Sequence, residues 1–185
     1  MIDIYLRNQP PPVETFDHIS FISFLADWIR PENYLELGVR SGENFITISS
    51  KSVKSTAVDL CPISFDLPEN AKSYLGSTDD FFNNLDENEK FDLIFIDADH
   101  SHEQSLKDFM NCQKFIIEDG FIILHDTYPI NDVYLDPSFC NDCYKTPLYI
   151  KQNLSDNFEV LTLPFHPGLT LVKKCNKNRQ LIWKY

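Results

Sequence analysis

The stretch from Phe91 to His102, FDLIFIDADHSH, constrains this chain more than any other. An apolar run that stops abruptly in carboxylates and imidazoles has the form of a buried strand delivering ionisable groups to one edge of a sheet. Strands of a parallel sheet covered on both faces are continuous in apolar residues. Open α/β sheets bind their ligands beyond the carboxyl ends of such strands. Buried charge is costly unless it is paired or meets a ligand, so an ending of this kind has a reason.

The flanking sequence supplies partners for that strand. Tyr34–Leu37, Ser55–Asp59, Lys72–Leu75 and Phe121–Asp126 are short apolar or β-branched runs. Helical spacing separates them: Thr15–Ile29 closed by Pro31, Glu43–Ser50, Thr78–Leu85 and Ser101–Ile116. In the last of these, Leu106, Phe109, Met110 and Phe115 are expected to be buried, with Glu103, Lys107, Asp108 and Lys114 on a wet face. Strand and helix in alternation imply parallel pairing through right-handed crossovers. Phe158–Leu163 and Leu169–Lys173 flank a Pro-Gly turn and predict a closing antiparallel pair. The expected fold is therefore α/β, a Rossmann-like doubly wound and mostly parallel sheet with an antiparallel C-terminal strand pair.

The 185 residues, 43% of them hydrophobic, are expected to form one domain, 1–185, whose residues 1–30 are an N-terminal lead-in (1–12, ending in Pro10-Pro11-Pro12) and helix. Residues 127–146 have no regular period and four aromatics, and are expected to be a substrate lid loop. Pro147–Leu154 is expected to be a helix capped by Thr146 with Pro147 first. The net charge of −12 argues against nucleic acid as a partner. Lys173, Lys174, Lys177, Arg179 and Lys184 are expected to be a solvated tail. No stretch is long and apolar enough for a bilayer span, and no secretory signal is visible, so a cytoplasmic location and no membrane partner are expected. Five scattered cysteines suit free thiols; Cys140 and Cys143 form one CxxC pair, expected to be surface-loop thiols.

The strand ends form an ordered series. Glu36-Leu-Gly38-Val-Arg-Ser-Gly42 puts two glycines where a strand turns into a helix, and Asp59 follows about 20 residues later, at the distance where nucleotide-binding folds place an acid for ribose hydroxyls. Asp97 and Asp126 end two later strands. A dinucleotide fingerprint would need glycine where Glu36 stands, and that acid would repel a pyrophosphate while suiting a cationic ligand.

Together these residues resemble the class I S-adenosylmethionine-dependent methyltransferases, in particular the small O-methyltransferase branch with the catechol, caffeoyl-coenzyme A and sugar enzymes. The resemblance covers roughly Tyr34 to Tyr128. It implies S-adenosylmethionine as cofactor, held by Glu36, Gly38, Gly42, Asp59, Thr78, Asp79 and Asp97, and methyl transfer to a hydroxyl of a small molecule, a sugar or a phenol. It implies a divalent cation, Mg2+ or another, on Asp97 and Asp126. Thr127 stands where the family carries Asn or Asp, so its hydroxyl or a water would complete the shell. Asp99 falls on a general base of the sugar branch and His100 on a position often held by a catalytic lysine; His125 is a further candidate base. Asp97 and Asp99 would share a face if their strand ran that far. Ser101 and Asp99 are candidate helix caps, His102 a solvated first-turn residue, and His18 and His166 structural. The alternative from another class is a catalytically silent cofactor-binding or scaffolding protein of the same fold, which needs only Gly38, Gly42 and Asp59.

Overall fold

The computed structural model describes residues 17–175; the lead-in of residues 1–12 and the basic residues beyond Cys175 lie outside them. Asp17 caps the first helix, α1 (His18–Ile29), accepting the Ser20 N–H at 3.0 Å. There follow β1 (Asn33–Leu37), α2 (Glu43–Ser49), β2 (Lys54–Asp59), β3 (Ala71–Leu75), α3 (Thr78–Asn84), β4 (Phe91–Ile96), α4 (His102–Phe115) and β5 (Ile116–His125). A 3-10 turn (Asp132–Leu135), α5 (Lys145–Asn153), β6 (Phe158–Leu163) and β7 (Leu169–Lys174) complete the order.

The seven strands form one sheet in the order β3-β2-β1-β4-β5-β7-β6. All neighbours from β3 to β5 pair in parallel, and β7 pairs antiparallel with both β5 and β6. The chain steps outward from β1 through β2 to β3 and returns to β1's other side as β4. A sheet whose winding reverses opens a crevice at that point, beyond the strand ends. Here the point lies between the ends of β1 and β4.

Alternation along the strands divides the core in two. Leu35, Leu37, Ile94 and Ile96 pack with Phe81, Phe109, Cys112 and Ile150. Tyr34, Leu93 and Phe95 pack with Ile22, Ala26, Phe45 and Ile48 of α1 and α2. At ~25 cal/mol per Å² of apolar area, these two layers supply the main drive to fold.

Local details depart from expectation in several places. Lys173 and Lys174 are not a solvated tail but lie on β7, Lys173 Nζ 2.6 Å from Asp119 Oδ1 and Lys174 Nζ donating to Ile116 O at 2.9 Å. Asp108 is fully buried rather than wet, because its carboxylate accepts Thr78 Oγ1 at 2.6 Å and Gln104 Nε2 at 2.9 Å, while Leu106 and Met110 are only partly buried. α5 starts at Lys145 with no side-chain cap. Thr146 is instead buried, its hydroxyl 3.0 Å from His102 Nδ1, so His102 is not a free solvated residue; its N–H also donates to Asp142 at 2.7 Å. β4 ends at Ile96, so Asp97 and Asp99 do not share a strand face. Ser101 does cap α4, its hydroxyl accepting Gln104 N–H.

Candidate active site

A cavity of about 1160 Å³ occupies the crevice at the strand ends. Its wall takes Gly38 from the β1 turn, Asp59 to Pro62 after β2, Gly76 to Asp79 after β3, Asp97 to His100 after β4, and His125 and Asp126 at the end of β5. Tyr134, Phe139 and Cys140 of the 127–146 loop and His166 of the β6–β7 turn close the far side.

Gly38 is glycine for steric reasons. Its φ is +80°, and a Cβ there would lie 2.3 Å from the Asp97 carbonyl oxygen. The β1 turn and the β4 end thus touch backbone to backbone. Gly42, with φ +81°, begins α2 beneath the Phe65 ring, 2.3 Å from where its Cβ would be, and is not part of the cavity wall. Glu36 also stays outside it. One of its oxygens accepts Tyr34 Oη at 2.5 Å and Asn44 Nδ2 at 2.9 Å, and burial pushes its pKa up to about 8. It ties β1 to α2.

Asp59 faces the cavity and already accepts three backbone N–H groups: Val39 at 2.9 Å, Arg40 at 3.0 Å and Cys61 at 2.8 Å. Burial opposes its ionisation, yet these bonds outweigh burial and hold the carboxyl below its ordinary value. Thr78 turns its hydroxyl to Asp108, with Gln104 Nε2 donating to it at 3.1 Å. Asp79 takes Lys107 on one oxygen, while Oδ1 is buried without a hydrogen-bond partner among the described residues. Buried polar atoms are rarely left so.

At the other end four side chains converge. His125 Nδ1 lies 3.2 Å from Asp97 Oδ1 and 3.4 Å from Asp126 Oδ1. His100 Nε2 lies 3.2 Å from Asp126 Oδ2 and 3.6 Å from Asp97 Oδ1. His100 Nδ1 meets the Phe139 carbonyl oxygen. Burial alone would raise Asp97, but the imidazoles of His125 and His100 hold its carboxyl far below the usual range. Asp97, with help from Asp126, pushes His100 up to about 9. Burial works against charge on His125, and the two carboxylates still push it up to about 10. Asp99, exposed at the cavity edge, accepts the Ser101 N–H at 2.7 Å.

Asp126 is held in the left-handed region at φ +57°, a conformation that costs a non-glycine residue ~1 kcal/mol or more and is typical of functional sites. Two thiols brace it: Cys143 donates to its carbonyl at 3.0 Å, and Cys140 lies 3.6 Å from its Oδ1. Both cysteines are buried, so they are not surface-loop thiols. Thr127 does not join the cavity wall; its hydroxyl accepts from Thr170 of β7 at 2.8 Å. The 127–146 loop is tied at both ends, Tyr128 N–H donating to Pro167 O at 2.9 Å and His102 N–H to Asp142.

Two histidines without a local motif belong to the site. The His18 ring packs against His125, tilted by 55° with centroids 4.3 Å apart, and burial together with His125 lowers it to about 4. His166 packs on Tyr134 at 3.9 Å and lines the cavity. Neither carries a sequence signal, since the partner is more than a hundred residues away in one case and lies beyond α5 and β6 in the other.

The ligand atoms of Asp97, His100 and Asp126 lie within 4.8 Å of one another. Two carboxylates and an imidazole form a donor set that fits a divalent cation.

Residues 35–127, half of the chain, match the family described as a methyltransferase domain. No curated protein matches the sequence significantly. Similar solved structures include the O-methyltransferase of Bacillus cereus in complex with SAH (15% identity, TM-score 0.66, covering 88% of this chain and 84% of that one). The SAH-bound methyltransferase PaMTH1 of Podospora anserina is 19% identical, with TM-score 0.67 and coverage of 86% and 78%. The O-methyltransferase TomG of Streptomyces achromogenes, in complex with SAM, is 13% identical, with TM-score 0.68 and coverage of 90% and 83%.

Proposed function

Since the chain belongs to the methyltransferase domain family, we propose that it transfers the methyl group of S-adenosylmethionine to a hydroxyl oxygen of a small molecule, a sugar or a phenol. The observation that carries this reading is a continuous cavity whose one end has the orphaned Asp79 oxygen and the Asp59 carboxylate, and whose other end has the Asp97–His100–His125–Asp126 cluster. Solved proteins of the same fold bear the names of O-methyltransferases with SAH or SAM bound.

Asp59, at the β2 end, would accept the ribose hydroxyls of the cofactor, and Asp79 the adenine amine. Gly38 and the Asp97 backbone form the floor between cofactor and acceptor. The chain's part in catalysis is to align the acceptor oxygen with the methyl carbon and to take up its proton. Asp99 is the proton acceptor in this reading: it is exposed at the cavity edge, whereas His125 is buried between two carboxylates that keep it charged. Asp97 and Asp126 would hold a divalent cation, which when bound supplies a Lewis acid that lowers the pKa of a coordinated hydroxyl. Tyr134 and Phe139, packed edge to face at 5.6 Å, and His166 form the acceptor wall, suited to a flat or ring-shaped molecule.

Calorimetric titration with S-adenosylhomocysteine, followed by mass spectrometry of catechols and sugars incubated with S-adenosylmethionine, tests the reading. Binding and a methyl mass increment on a hydroxylated compound are expected. Absence of binding under all conditions would overturn it.

A further inference from the structure

We propose that Arg40 is a cofactor-binding residue of this chain, its guanidinium taking the carboxylate on the amino-acid tail of S-adenosylmethionine. The inference rests on the cofactor reading above and concerns which side chain meets the one negative group of that ligand.

Five carboxylates line the cavity, those of Asp59, Asp79, Asp97, Asp99 and Asp126. They suit a sulfonium and an ammonium but repel a carboxylate, so the wall needs a cation at one point. His100 and His125 direct their charge to Asp97 and Asp126. Lys107 lies outside the wall, paired with Asp79. Among the described residues that form the wall there is no lysine and one arginine, Arg40. Its backbone N–H donates to Asp59 at 3.0 Å, while among the described residues no hydrogen bond or ion pair engages its guanidinium. A free guanidinium meets a carboxylate with two parallel N–H bonds, a match that no other side chain of the wall offers.

The backbone points the same way. Arg40 holds φ +44°, in the left-handed region, between Gly38 and Gly42. Glycine would make that turn without strain, so the reason for an arginine there lies in its side chain.

The neighbouring donors are withdrawn. Residues 41–44, at the start of α2, do not line the cavity. The Gly42 N–H donates to Val39 O at 2.7 Å, and the Phe65 ring covers Gly42 itself. Asn44 is buried, its Nδ2 donating to Tyr34 Oη and to Glu36. The carboxylate's partner must therefore come from the turn before α2, where Arg40 stands.

The test is calorimetric titration of the full chain with S-adenosylhomocysteine and with its decarboxylated analogue, which keeps the nucleoside, the sulfur and the amine. No acceptor is present, so any carboxylate effect belongs to the cofactor. The wild type is expected to bind the analogue about tenfold more weakly or worse. Arg40→Gln should lose a similar factor on S-adenosylhomocysteine and almost nothing on the analogue. Arg40→Gly, which also relieves the turn, should melt no lower than the wild type and show the same selective loss. Unchanged S-adenosylhomocysteine affinity in either variant, or an equal loss on both ligands, overturns the assignment and leaves the cofactor reading standing. If the wild type binds neither ligand, both fall together.

Discussion

The thiol of Cys143 donates to the backbone carbonyl of Asp126 across 3.0 Å, and Cys140, three residues earlier, reaches the Asp126 carboxylate. A backbone strained at φ +57° is thereby pinned from both its main chain and its side chain. Cys143→Ala should lower stability by ~1–2 kcal/mol, the cost of stranding a buried carbonyl, and should weaken metal binding with it. Chemical denaturation and metal titration of the variant check both. A variant with unchanged stability and affinity would show that the thiol braces nothing.

Burial, reinforced by Asp126, pushes both thiols well above their ordinary pKa, which leaves them poor nucleophiles. Cys61 is exposed on the cavity rim. In the native protein at neutral pH, a thiol reagent should therefore modify Cys61 well before Cys140 or Cys143. Peptide mapping of the labelled sites after brief exposure decides this.

Gly38→Ala would place a methyl 2.3 Å from the Asp97 carbonyl oxygen and ask alanine to hold φ +80°. Both effects push the β1 turn from the β4 end. A loss of ~1–3 kcal/mol in stability is expected, with weaker S-adenosylhomocysteine binding. Normal binding by a normally stable variant would contradict the close approach.

Glu36 is uncharged-leaning in the fold, with its pKa raised from 4.5 to about 8 by burial. A carboxyl that holds its proton more tightly when folded stabilises the fold at low pH. That contribution shrinks as pH rises above about 4.5 and is gone above about 8. Glu36→Gln should remove this decline, so the variant gains on the wild type as pH rises from 5 to ~8.5. Thermal melts across that range test it; parallel curves would refute the buried acid's role.

Asp79 Oδ1 is a buried acceptor awaiting a donor. Asp79→Ala should weaken S-adenosylhomocysteine by ~1–3 kcal/mol, and the inosine analogue, which lacks the adenine amine, should lose a similar amount against the wild-type protein. Equal affinity for both ligands would remove the adenine assignment.

Elements whose evidence is local were legible from the sequence. The apolar run of β4, the glycines after β1 and the acids at the ends of β2, β4 and β5 each announce themselves within a dozen residues. The ends of elements were less so. Thr146 and Pro147 carry the marks of a helix start, yet α5 begins at Lys145 because Thr146 is drawn inward to His102. Asp108 was misplaced because charge on a helix reads as solvent-facing, and only the folded chain brings Thr78 to neutralise its burial. His18, His166 and the cysteine brace were illegible for the same reason. Their partners, His125, Tyr134 and Asp126, come from other elements, and no spacing along the chain encodes such meetings.

The 127–146 loop is fastened to the sheet at Tyr128 through Pro167 and to the start of α4 at Asp142 through His102. Between those two moorings it contributes Val133, Tyr134 and Phe139 to one wall of the cavity and nothing to the sheet's own pairing. The cavity is thus built in two parts, strand ends on one side and a tethered loop on the other, joined where Cys140 and Cys143 meet Asp126.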